Sequence, residues 1–185
     1  MIVACLAESV KTYKERFLHF LDNLLVCPIC QGECRPHAWR ERRVRTKEAL
    51  VILLVLRIIC PRCNRTFTIL PDFLSPRKRY IQDIRQEAIL AQLAGVPAER
   101  VVETARGPSV ETVRRWLAEF KAIREQAAAA LRSLLAQLGC FPPLSRSSLP
   151  DLLHWLAETV SGTAFSSLFG LANILLAKAE TPVWL

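Results

Sequence analysis

The segment CPRCNRTFTILP, residues 60–71, holds two cysteines separated by two residues, and a β-favouring run leads from them to a proline. A second pair with the same spacing, CPIC, occupies residues 27–30, and 29 residues lie between the two pairs. Two intervening residues allow both sulfurs of a pair to face one tetrahedral ion, and four thiolates suit Zn²⁺ in a closed structural site. We therefore predict a structural zinc site with the ligands Cys27, Cys30, Cys60 and Cys63.

Other roles for these cysteines stay open on the residues alone. Iron takes the same ligands in small electron carriers, although the basic flanking sequence argues against that role. The four side chains could also pack as free thiols. A thioredoxin-like redox pair needs a strand–helix–strand context, which is missing here. Cys34 and His37 are additional candidate ligands because they follow the first pair closely.

The residues that follow each pair predict how the chain turns there. Asn64 comes directly after the second pair, and asparagine tolerates the left-handed backbone that such a turn requires. Gly32 lies two residues after Cys30, so we expect the first turn to differ slightly from the second. A closed four-thiolate site leaves no coordination position for water, and we expect no metal catalysis.

Three strand-like stretches surround the second cysteine pair: HAWRERRVRT at 37–46, ALVILLVLRII at 49–59 and RTFTIL at 65–70. They predict a small antiparallel sheet, which buries too little surface to be stable without the metal. The apolar run at 49–56 predicts a buried strand. It is far shorter than the roughly 20 residues of a membrane-spanning helix, so we expect no membrane partner.

The rest of the chain has helical periodicity. A short amphipathic helix is predicted at 9–25, and a helix with Ser75 as N-cap and Pro76 in its first turn is predicted after the sheet. Gly95 is placed to end that helix, and a short helix follows Pro97.

A third helix of this group is predicted to begin after Ser109, with Val113, Trp116 and Leu117 facing inward. No helix breaker follows before Gly139, so we expect it to continue to that point. The three helices have the order of a helix-turn-helix, in which the last helix presents its N-terminal residues to the major groove.

Together these patterns predict an α+β, mostly helical fold in four regions. An N-terminal helix (1–26) precedes a zinc ribbon (27–74), a helix-turn-helix (75–125) and a C-terminal helical extension (126–185). The extension reads as a two-helix hairpin rich in apolar residues, among them Trp155, Phe165 and Phe169.

Positive charge is concentrated near the predicted ribbon. The net charge is +8, and residues 35–79 carry 12 basic side chains against 3 acidic ones. Such a density suits a polyanion such as DNA, although a solvated charged face is the simpler alternative. The candidate DNA contacts are Arg40, Arg42, Arg43, Arg45, Arg77, Lys78, Arg79, Thr112, Arg114 and Arg115.

Several of these stretches resemble a known family. CPIC, RPHAWRERRVRT, LRIICPRCNRTFTILPDFLSPRKRY and SVETVRRWLAEF are similar to the N-terminal zinc-finger and helix-turn-helix region of bacterial insertion-sequence transposases. They are also similar to short bacterial proteins of unknown function that carry this region alone. The resemblance covers about half of the chain and implies DNA binding, with the four paired cysteines as zinc ligands and Arg114 and Arg115 as DNA contacts.

One departure from that family bears on catalysis. The transposases continue into a nuclease-like domain with three metal-binding carboxylates, whereas 65 residues follow Phe120 here. Those residues contain four acidic side chains: Glu125, Asp151, Glu158 and Glu180. We therefore expect a protein that is not an enzyme.

Two further expectations concern location and partners. MIVACLAES lacks the basic start and long apolar stretch of a secretory signal, which predicts a cytoplasmic protein with reduced cysteines. The alternative to DNA binding is a zinc-stabilised interaction adaptor, whose apolar C-terminal helices dock a partner or a second copy.

Overall fold

The fold is given by a computed structural model, which describes residues 2–5, 10, 11, 13, 25–104, 107–137, 139–143, 148–159, 169 and 172. It is an α+β fold, as the sequence predicts, with a sheet followed by helices. The strands are β1 (Ile2–Cys5), β2 (Arg35–Arg45), β3 (Leu50–Cys60) and β4 (Arg65–Pro71). The helices are α1 (Gln82–Leu93), α2 (Ala98–Thr104), α3 (Val110–Gln137) and α4 (Leu149–Thr159).

The four strands form one sheet in the order β1, β4, β3, β2. The pairs β2–β3 and β3–β4 are antiparallel, which confirms the predicted antiparallel sheet. Strand β1 pairs with β4 in parallel and was not predicted, since the region 1–26 was assigned to a helix. Four residues are too few for strand periodicity to be recognised. Val10, Lys11 and Tyr13 are helical, and the rest of the helix predicted at 9–25 lies outside the described residues.

The long β2–β3 hairpin has two unlike faces. Directly opposite residues share a face, and the pairs Arg42↔Leu53 and Val44↔Val51 define the face on which Val44 and Leu53 are fully buried. On the other face Leu50, Ile52 and Leu54 are each more than half exposed. The prediction of a buried strand at 49–56 is therefore correct for one face only, because nothing described covers the other face near the hairpin turn.

The helix predicted directly after the sheet begins later than expected. Ser75 and Pro76 belong to a turn in which the Lys78 N–H donates to the Ser75 carbonyl at 3.3 Å, and α1 begins at Gln82. The Ser75 hydroxyl accepts a hydrogen bond from the Arg85 guanidinium at 2.8 Å instead of capping a helix. Gly95 follows α1 with φ of 88°, in agreement with its predicted role.

Helix α3 has the predicted start and length. The Ser109 hydroxyl accepts the Thr112 N–H at 3.2 Å, which is the expected N-cap bond. Val113 and Trp116 are buried in the core that α1, α2 and α3 share, as predicted from their spacing, and α3 continues without a break to Gln137.

Several C-terminal apolar side chains fold back on α3, although Phe141 is 75% exposed. Leu152 and Leu153 of α4 are buried in the helical core, and the Phe169 ring stacks on Phe120 with a centroid distance of 5.6 Å. Phe169 is therefore unavailable as part of an exposed docking surface, while Phe165 lies outside the described residues. In the described ranges, no helix has the length and apolar composition needed to cross a bilayer.

A buried arginine joins the turn before α1 to the helices. Arg85 of α1 donates to the Ser75 hydroxyl at 2.8 Å and to the Gln82 side-chain oxygen at 3.1 Å. Its guanidinium lies 5.8 Å from the centre of the Trp116 ring and 3.9 Å from the Glu119 carboxylate. Burial lowers the pKa of Arg85 to about 10, although Glu119 acts in the opposite direction. The side chain thus holds the turn before α1 against α3.

We expect Arg85→Met to lower the free energy of unfolding by about 1–3 kcal/mol, because two buried oxygens lose their donor while the packing volume is largely kept. Denaturant unfolding of the full chain measures the change. Arg124→Met is the matched control, since Arg124 is half exposed on α3, and we expect a change within about 0.5 kcal/mol there. Equal effects of the two substitutions would contradict a bonding role for Arg85.

Candidate metal centre and basic surface

The two cysteine pairs lie in turns of the same geometry. In each turn the residue directly after the second cysteine has a left-handed backbone, with φ of 55° at Gln31 and 52° at Asn64. The prediction for Asn64 is correct, and the expected difference between the turns is wrong because Gln31, and not Gly32, takes the left-handed position. The first turn is closed by the Cys27 N–H, which donates to the Gly32 carbonyl at 2.8 Å.

The turns bring all four predicted ligands together. The sulfurs of Cys27, Cys30, Cys60 and Cys63 lie within 4.8 Å of one another and could hold a metal ion. The Cys27 and Cys63 sulfurs are 3.6 Å apart, and those of Cys30 and Cys60 are 3.5 Å apart. A disulfide would place two sulfurs about 2 Å apart, and all four residues are free thiols. The close approach therefore reflects a shared site and not covalent pairing.

The first cysteine of each pair is electrostatically prepared to be a thiolate. Burial acts to raise the pKa of Cys27, but the N–H groups of Cys30 and Ile29 donate to its sulfur and lower the pKa to about 6. The N–H of Cys63 donates to the Cys60 sulfur and lowers that pKa as well, against the effect of burial. Both turns thus aim backbone N–H groups two and three residues ahead at the first sulfur, which is typical support for a metal-bound thiolate.

The second cysteines also resemble each other. The N–H of Gly32 acts to lower the pKa of Cys30, but burial and the sulfurs of Cys60 and Cys27 leave it raised. Burial raises the pKa of Cys63 to about 12, although the Arg65 N–H opposes this change. A bound cation is the group that allows such crowded sulfurs to ionise together, because its charge offsets their mutual repulsion.

Cys34 is near the site but is not one of the four clustered sulfurs. Burial raises its pKa to about 11, and the neighbouring sulfurs of Cys27 and Cys60 contribute to the rise. Its N–H donates to the Leu25 carbonyl at 2.6 Å. The His37 side chain is exposed, and the cluster formed by the described residues does not include it.

The comparisons with known proteins add one finding. Residues 27–116 match the family model of a domain of unknown function, DUF6431. The DUF6431 match begins at Cys27 and ends at Trp116 in the second turn of α3, so it contains the whole cysteine cluster. Searches of the curated proteins and of the solved structures found no match. The resemblance to proteins with a domain of unknown function is thus confirmed, and the likeness to transposases stays a prediction.

Several of the predicted DNA contacts of the DUF6431 region are engaged within the protein. The Nη2 group of Arg42 donates to the carbonyls of both Ser75 and Lys78, each at 2.6 Å. The Lys78 ammonium donates to both oxygens of Glu119, at 2.7 and 2.6 Å. These two side chains fix the turn before α1, so their main role in the structure is to position neighbouring residues.

Three more predicted contacts have partners in the structure. The Arg114 guanidinium donates to Glu99 at 2.5 Å, at an exposed position where the ion pair is easily exchanged for another anion. The Arg45 guanidinium lies 6.0 Å from the centre of the Tyr80 ring. The Thr112 hydroxyl is 2.9 Å from that of Ser109, within the N-cap of α3.

The remaining five predicted contacts are exposed arginines. Arg40 and Arg43 lie on β2, Arg77 and Arg79 lie in the turn before α1, and Arg115 lies in the first turns of α3. In the part of the chain that the structure describes, no carboxylate pairs with any of these five guanidinium groups. Among the ten predicted contacts, these five are the positive charges that are available to an anionic partner.

Sequence reasoning missed the residues that join the two parts of this surface. The Tyr80 hydroxyl donates to the Gly107 carbonyl at 2.7 Å, which attaches the α2–α3 turn to the end of the sheet. The Arg85 network was also missed. A signal for it exists, because Arg85 is four residues after Ile81 and three before Ala88, on the apolar stripe of α1.

We expect the purified protein to contain one metal ion per chain and to lose it when any of the four clustered cysteines is replaced by serine. Elemental analysis of the wild type and of Cys60→Ser measures this loss. Cys34→Ser is the matched control, since Cys34 is buried beside the cluster without belonging to it, and it should keep one ion per chain. A normal metal content in Cys60→Ser would contradict the assignment.

Removal of the metal should unfold the sheet region. A structural zinc ion supplies apparent binding free energy on the order of 10 kcal/mol, which exceeds the stability of a small sheet. We expect a strong chelator to abolish the β-sheet signal in circular dichroism and added zinc to restore it. Retention of the sheet after complete metal removal would contradict this coupling.

Proposed function

We propose that this chain is a non-catalytic, zinc-stabilised DNA-binding protein of the cytoplasm. The proposal joins the sequence likeness to the DNA-recognition region of insertion-sequence transposases with the arrangement of cysteines and arginines described above. It assigns zinc as the ion in the cysteine cluster, DNA as the partner and a positioning role to the helical part. A relic of a transposase or a small regulator would both have these properties.

Zinc is favoured by the chemistry of the ligands. Four thiolates in two similar turns, with backbone N–H groups aimed at the sulfurs, form a closed tetrahedral set. Such a set keeps no open position for water or substrate. The ion would therefore stabilise the base of the β2–β3 hairpin and take no part in a reaction.

The single observation that carries DNA binding is the group of five exposed arginines without carboxylate partners. Four of the five lie in two stretches, Arg40 and Arg43 on β2 and Arg77 and Arg79 in the turn before α1. The two stretches are adjacent because the Arg45 N–H of β2 donates to the Arg79 carbonyl at 2.7 Å. Arginine is suited to phosphate because its planar guanidinium can donate two parallel hydrogen bonds. Arg115 in the first turns of α3 is where a helix-turn-helix would meet a groove.

We expect binding to a short DNA duplex to weaken steeply with salt. Five phosphate contacts correspond to a slope of about −4.5 in log K against log salt, or a loss of roughly several hundred-fold between 50 and 200 mM. Fluorescence anisotropy with the zinc-loaded protein measures this dependence. No binding at 50 mM salt, or an affinity that salt leaves unchanged, would contradict the proposed function.

Two pairs of substitutions test whether the location of the charge matters. Arg40→Ala with Arg115→Ala removes two proposed contacts and should lower the magnitude of the salt slope by about 1.8. Arg124→Ala with Arg132→Ala removes the same charge from exposed positions further along α3 and should change the affinity by less than about threefold. Equal losses in the two variants would indicate that only net charge attracts DNA.

A second candidate function is a protein-interaction adaptor, and one observation favours it. Leu50, Ile52 and Leu54 form an exposed apolar stripe on β3, and Trp39 of β2 is also about half exposed. Apolar patches of this kind are typical of docking surfaces. Sedimentation of the wild type and of Ile52→Thr would test self-association there, and an adaptor that does not bind DNA would leave the salt experiment without signal.

A further inference from the structure

We propose that the turn before α1 and the neighbouring part of β2 form a binding pocket for a single phosphate group. A pocket of about 320 Å³ lies between them. Its lining residues are Glu41, Arg42, Arg43, Arg77, Lys78 and Arg79. Five of these six side chains are basic, and the pocket is separate from the cysteine cluster. The assignment of the phosphate to a DNA backbone rests on the proposed function, whereas the pocket itself does not.

Two basic side chains of this pocket bond within the protein, and the other three are available to a ligand. Arg42 is held by the carbonyls of Ser75 and Lys78, and Lys78 is held by Glu119. The guanidinium groups of Arg43, Arg77 and Arg79 have no acidic partner in the part of the chain that the structure describes. These three groups are therefore the ones available to an anion, and Glu41 is the one lining carboxylate that opposes it.

The turn that carries two of the three available arginines is fixed on both sides. Arg42 bonds two of its carbonyls from β2, while the Lys78–Glu119 pair attaches it to α3. The Arg45 N–H donates to the Arg79 carbonyl, and this bond adds a backbone attachment to β2. A site whose donors stand on a fixed backbone loses less entropy when it binds an ion than a flexible loop would.

The backbone of Arg77 supports the same conclusion. Its φ is 60°, a left-handed conformation that residues other than glycine and asparagine adopt infrequently. The carbonyls on either side of Arg77, those of Ser75 and Lys78, are the two that Arg42 binds. Arg42 is thus a positioning residue, since it holds the turn in the form that places Arg77 and Arg79 at the pocket.

Inorganic phosphate is the first probe. We expect it to cause saturable shifts of the Arg43, Arg77 and Arg79 side-chain N–H resonances in the zinc-loaded full chain, while chloride at equal ionic strength causes none. Arg124 serves as the internal control, since it is exposed on α3 outside the pocket. Shifts that grow linearly and equally at Arg124 would overturn the pocket.

Substitutions separate ligand contact from charge. Arg43→Ala with Arg79→Ala should abolish the saturable phosphate response at Arg77, and Arg124→Ala with Arg132→Ala should retain it. Arg42→Lys keeps the charge but cannot span both carbonyls in the same way, and we expect at least a tenfold weaker phosphate response with one metal ion per chain retained. If Arg42→Lys does not fold, the Arg43 and Arg79 pair decides the matter.

Binding of the same variant to duplex DNA distinguishes failure of the pocket from failure of the proposed function. With one phosphate shared by Arg43, Arg77 and Arg79, the wild-type slope for duplex DNA is about −2.7 and not the −4.5 of five separate contacts, and Arg43→Ala with Arg79→Ala should lower its magnitude by about 0.9, the value of one phosphate. A phosphate response in a protein that does not bind DNA would support the pocket and reject the proposed function. DNA binding with an unchanged slope in this pair, together with no phosphate response, would reject the pocket alone.

Discussion

The structure depends first on the convergence of four sulfurs within 4.8 Å of one another. Each pair is local in sequence, but the two pairs meet only if β2 and β3 fold into a hairpin and return the chain to its starting point. A metal ion held by the cluster would close a loop of about thirty residues, whose ends would otherwise separate freely. The closed loop would in turn fix where the arginines of β2 lie.

A series of polar contacts joins β2 to the helices. Arg42 connects β2 to the turn before α1, Lys78 connects the turn to Glu119 of α3, and Arg85 joins the same carboxylate from α1. The two ion pairs to Glu119 are modest, because its carboxylate is partly exposed to solvent. Acting on one turn, all of these contacts make the ribbon and the helical unit a connected framework and not two independent modules.

The cysteine spacing, the three antiparallel strands, the Ser109 cap and the inward face of α3 were predictable because each depends on residues close together in sequence. Which arginines bond within the protein and which stay exposed could not be predicted. Arg42 and Arg43 are neighbours of the same type, and only the opposite faces of a strand and contacts made from more than thirty residues away give them different roles. The later start of α1 has a similar cause, since the Ser75 hydroxyl bonds Arg85 in the fold and not the helix end.

Helix α3 has 28 residues and is therefore about 42 Å long. Its first turns hold Arg115 and pack against α1 and α2, while Leu131 in its second half is buried in the same core as the apolar side chains of α4. The continuous helix therefore fixes the distance between its two packed halves. Arg115 and Leu131 are 16 residues apart, which corresponds to about 24 Å along the helix axis, so the exposed arginine stands well away from the core around α4.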